Sequence, residues 1–142
     1  MRVGIPRPVV HIRSPPGDFD ALFEWFERVS YALVLLEEFS LSDIRDSVAV
    51  VRRGLTAHIE SPWPFSLASR TDLEQVVAAD HAWFRISLDQ LDWFLRIVEK
   101  EDHGGHRQAL GQYGRLLSES VGRHRRDERA VLRIAPPLAG QP

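Results

Sequence analysis

Residues 71–102, TDLEQVVAADHAWFRISLDQLDWFLRIVEKED, carry the longest helical pattern in the chain, and the rest must fold around it. Leu73, Val77, Phe84, Leu88, Leu91, Leu95 and Val98 recur at steps of three or four with a single step of seven, which places them on one side of an α-helix. Val76, Trp83, Phe94 and Ile97 widen the stripe beyond a two-position coiled-coil seam, so the pattern predicts a globular bundle. Thr71 and Glu74 have the spacing of a capping box, and Gly104-Gly105 marks a stop. The step of seven falls where the stripe needs an apolar residue at position 80 or 81 and finds Asp80-His81 instead. An unsatisfied polar group there costs about 1–3 kcal/mol, so a neighbouring helix is expected to supply a partner. A histidine acting as metal ligand or acid/base is the functional alternative.

The flanking segments fit the same picture. Residues 1–17 hold four prolines and two glycines and are expected to form an extended arm, with Val9, Val10 and Ile12 packing on this domain or on a second copy. Asp18 caps a first helix reaching about Glu38, with Phe19, Phe23, Phe26, Val29, Leu33 and Leu36 along its stripe. Ser42 or Asp43 is expected to cap a second helix to about Glu60, where Ile44, Val48, Val51, Leu55 and Ile59 form a narrow stripe. Ser61-Pro62-Trp63-Pro64-Phe65 breaks it, with the two aromatics expected to cover one end of the bundle. A fourth helix over 106–134 carries His106, Leu110, Tyr113, Leu117, Val121, His124 and Val131. Beside them runs a row of small residues, Gly111, Gly114, Ser118 and Gly122, which calls for close approach by another helix of this chain or of a second copy. The expected architecture is all-α: a four-helix antiparallel bundle over 18–134, with extended proline-rich tails at 1–17 and 135–142.

Several chemistries are excluded by residue type. The chain has no cysteine, which removes disulfides, thiolate metal sites and cysteine nucleophiles. A net charge of −2 gives no global attraction to nucleic acid or anionic membrane. The longest strongly apolar run, Tyr31 to Leu36, is too short to span a bilayer, so a cytoplasmic location without membrane partners is expected.

Six histidines in a bundle invite a metal, but no Glu-x-x-His pair and no His pair four apart occurs, so no metal and no cofactor is expected. A mononuclear site from His58, His81 and a carboxylate is the remaining metal alternative. Arg53 and His58, separated by four residues, resemble the Arg-x4-His spacing of the HEPN ribonucleases; that resemblance implies a pair acting on an RNA phosphodiester, although Gly54 stands where the family has Asn or Asp. Arg123, Arg125, Arg126 and Arg129 form a basic end of the fourth helix, diluted by Asp127 and Glu128; a solvated helix end is expected there, with a nucleic-acid contact as the alternative. Without a recognisable catalytic constellation, the expected function is a non-catalytic interaction module, an accessory, adaptor or regulatory subunit. It is expected to self-associate through Val9, Val10, Ile12 and the small-residue row. Asp80 and His81 are read as one end of a buried polar network reaching His106 and His124 on the fourth helix.

Overall fold

The computed structural model describes residues 10–61 and 72–134. It contains four helices: α1 (Phe19–Val34), α2 (Leu41–Glu60), α3 (Asp72–Lys100) and α4 (Gly104–Ile134). Each packs antiparallel to its neighbours, as paired contacts show. Phe19 lies on His58 and Leu22 by Gly54. Arg45 bonds Glu99 near one end of α2 and α3, and His58 meets His81 near the other. Tyr113 bonds Gln90, and His124 meets His81, across α3 and α4. α4 returns to α1, so the four helices close a ring around one core. No described helix is long and apolar enough to cross a membrane.

Local chemistry sets the helix ends. Asp18 caps α1, its carboxylate accepting from the Ala21 N–H at 3.0 Å. α1 stops at Val34 rather than near Glu38, because Leu36 turns into the left-handed region at φ 61°. The Leu36 N–H then donates to the Leu33 carbonyl and the Glu37 N–H to the Ala32 carbonyl, the two bonds of a Schellman stop. Ser40, not Ser42 or Asp43, caps α2, accepting from the Asp43 N–H at 3.1 Å. Asp43 is thereby free to accept from the Ile12 N–H at 3.2 Å, and the Trp25 indole donates to the Arg13 carbonyl, so this part of the arm is pinned to its own domain. Gly104-Gly105 does not follow α3 as a stop; both glycines belong to the first turn of α4, capped by His103, which accepts from the His106 N–H at 3.3 Å. Thr71, the 62–70 segment with Trp63 and Phe65, Val9 and the tail at 135–142 lie outside the described residues, as do the side chains of Glu74 and Val131.

Gly111 and Gly114 of the small-residue row pack closely on α1 of the same chain, whereas a methyl group on Gly122 would meet only the Arg126 side chain, at 4.0 Å. A methyl group on Gly111 would lie 2.5 Å from the Ser30 carbonyl oxygen and 2.9 Å from Leu33 Cβ, and one on Gly114 would collide with the Ser30 side chain. Because a backbone oxygen cannot swing aside, Gly111→Ala is expected to destabilise the fold by about 1–2 kcal/mol in urea unfolding, despite the helix propensity alanine adds. A variant of equal or greater stability would show that α1 and α4 sit further apart. The α3 stripe is narrower than its sequence suggests: Val77, Phe84, Leu88, Leu91 and Val98 are buried, whereas Val76 and Trp83 are exposed.

Candidate metal centre

The Asp80-His81 break lies beside the fourth helix. His124, on the apolar stripe of α4, is fully buried, and its two ring nitrogens look in different directions. Nδ1 lies 3.1 Å from Asp80 Oδ2, while Nε2 lies 3.0 Å from His81 Nε2 and 3.3 Å from His58 Nε2. Glu128, one turn further along α4, brings Oε1 to 3.1 Å from His58 Nε2 and 3.2 Å from His124 Nε2. Three imidazole nitrogens and one carboxylate oxygen, from α2, α3 and α4, therefore meet within 4.8 Å of one another.

Three of these four side chains, His58, His124 and Glu128, are held by neighbours outside the cluster. His58, in the last turn of α2, stacks on Phe19 with ring centroids 4.5 Å apart, and Phe84 stands edge-on to His124 at 5.1 Å. The Asp80 carboxylate beside Nδ1 of His124 favours a proton there, so the charged ring donates from Nε2 to Glu128, and loss of that Nε2 proton would turn a lone pair toward the cluster. Glu128 Oε1 is also held by Arg125 Nη1 at 3.1 Å, and Asp20 of α1 holds Arg125 through its Nε at 2.8 Å.

Charge follows from these contacts. Burial alone would raise the Glu128 carboxyl, but hydrogen bonds from His124 and His58 outweigh it and hold Glu128 ionised far below the usual carboxylate range. Burial lowers His81, reinforced by the nearby His124 and His58 rings, and favours its neutral form. At His124 burial also pulls down, yet Glu128 and Asp80 prevail and shift it up. Ionised Glu128 and neutral His81 are ligand forms that a divalent cation requires, whereas His124 would have to release a proton to become one.

The remaining sequence candidates are dispersed. Arg53 is exposed and stands about 140° around α2 from His58, so the two do not converge on one groove. Val10 is exposed and its N–H donates to the Glu38 carbonyl at 2.9 Å, while Ile12 packs against the core. The Ser118 hydroxyl donates to the Gly114 carbonyl, and Gly122 lines a cleft between α1 and α4 with Asp20 and Arg126. Arg125 and Arg129 both pair with Asp20, leaving Arg123 and Arg126 as the more solvated cations of that end. His106 does not join His124: it sits at the α3–α4 turn beside Glu101 and His103, an exposed group occupied in capping α4.

Glu128 and the convergence of His58 with His124 are the site features that sequence periodicity misses. Their signal is His124-x3-Glu128, a histidine and a carboxylate one turn apart on the α4 stripe; a search for glutamate ahead of histidine passes over it. Comparison with family models, with curated proteins and with solved structures finds no match for this chain.

Proposed function

We propose that this protein is a metal-binding helical bundle, in which one zinc-class divalent ion held by His58, His81, His124 and Glu128 ties α2, α3 and α4 together. A single observation carries the reading. Tetrahedral zinc with ligands near 2.0–2.1 Å requires ligand atoms roughly 3.3 Å apart; the His124–His58, His124–His81, His124–Glu128 and His58–Glu128 spacings are 3.0–3.3 Å, and all four donor atoms lie within 4.8 Å of one another. Imidazole and carboxylate donors favour zinc and its first-row neighbours over calcium or magnesium. Four protein donors complete a tetrahedral shell, the arrangement of a structural site. Such a site suits a protein that works through its surface, as an accessory or regulatory subunit, rather than by making bonds.

One observation favours a second reading. Arg125 donates to the same Glu128 oxygen that would bind the ion. If Arg125 keeps Glu128, the three histidines leave a fourth position for water, the arrangement of a hydrolytic zinc.

The test common to both is metal content. Elemental analysis of protein purified without chelator is expected to show about one zinc-class ion per chain. Removing it should lower the melting temperature by about 10 °C relative to protein in zinc at a thousandfold excess over its dissociation constant. Metal-free protein whose melting temperature does not respond to added zinc, cobalt, nickel or iron would overturn the proposal.

A further inference from the structure

We propose that the outer face of α3 is the contact surface between two copies of this chain, packed antiparallel about a two-fold axis level with Leu88. This surface is distinct from the core stripe. Val76, Trp83, Ile86 and Trp93 are 48, 45, 57 and 55 % exposed, and with Ala79, Gln90 and Ile97 they recur at three- and four-residue steps along a band of α3 that begins beside the buried stripe at Val76 and Trp83 and runs to the far side at Trp93. Two half-exposed tryptophans on one helix line form the kind of apolar strip that monomers seldom leave to water.

The order of residues along the strip selects a second copy as the occupant. Counting outward from Leu88, Ile86 balances Gln90, Trp83 balances Trp93 and Ala79 balances Ile97. A two-fold axis at that level sets Trp83 of each copy at the same height as Trp93 of the other. On an α-helix these two positions diverge by about 80° around the axis, so the rings fall side by side instead of colliding. Self-complementarity of this kind is what an isologous contact requires.

The charges beside the strip agree. Arg85 and Asp89 are exposed on the same flank of α3. Under the same axis Arg85 of one copy lies about two residues, roughly 3 Å of helix rise, from the level of Asp89 in the other, and the pairing occurs twice. A parallel two-fold would instead put this flank on opposite sides of the contact in the two copies, and neither pairing could form.

Sedimentation velocity from micromolar to several hundred micromolar tests the proposal. The expected result is a concentration-dependent dimer that Ile86→Glu weakens at least roughly 100-fold, because the charge enters twice near the axis. Helix content and metal content should be unchanged, since Ile86 is exposed. Charge variants test the geometry. Arg85→Glu and Asp89→Arg should each self-associate poorly, yet mixed together they should pair, because both cross-contacts then join opposite charges. A strictly monomeric wild type, a dimer indifferent to Ile86→Glu, or charge variants without mutual preference would each overturn it.

Discussion

Replacing His124 with alanine is expected to abolish metal retention and to lower folding stability by about 2–4 kcal/mol, because it empties a fully buried position, takes the His124 ring from Asp80 and removes one of the three partners of Glu128. His124 has no exposed side-chain surface and touches Asp80, Glu128, His58 and His81. Its loss leaves Asp80 and Glu128 facing a cavity next to Phe84. Chemical unfolding and elemental analysis of the same preparation read both effects. His81→Ala separates them: His81 is only partly buried, so this variant should keep its fold while losing the ion. A His81→Ala protein that still carries one ion per chain would show that the ring is not a ligand.

Asp80→Asn is expected to weaken zinc affinity by about 10- to 100-fold without changing the stoichiometry at saturation. Asp80 touches the cluster only through Nδ1 of His124, so the substitution leaves every proposed ligand in place. What it removes is the charge that fixes the proton on Nδ1 and raises the basicity of Nε2 at the far side of the ring. Competition against a chelator of known strength measures the shift. An unchanged affinity would mean that packing against Phe84 alone orients His124.

Part of this was legible from residue order. The step of seven in the α3 stripe required a polar pair to be satisfied from outside, and His124 on the α4 stripe was a natural partner. Both follow from helical periodicity, which is local. The contribution of α2 was legible only as an alternative, a site shared by His58 and His81, since whether His58 also reaches His124 depends on how far α2 slides against α3, and no pattern within α2 encodes that. Glu128 was hidden for another reason. It lies within the arginine-rich run of 123–129, where a carboxylate reads as dilution of a basic end, and burial alone distinguishes it. The glycine row announced a close approach but not its partner, which Ser30 and Leu33 of α1 supply. Periodicity also overstated the core of α3, because Val76 and Trp83 adjoin the buried stripe in angle while lying beyond the reach of α2 and α4.

His58 and His124 are separated by 66 residues of chain, yet their ring nitrogens stand 3.3 Å apart. An ion joining them closes a loop far longer than any turn or cap in this bundle. The entropy lost on closing a loop grows with its length, so a clip across so long a span removes much of the freedom of the unfolded chain. In a sequence without a single cysteine, three histidines and a glutamate would thus do for this bundle what a disulfide does elsewhere, and unlike a disulfide the link could be undone by withdrawing the metal.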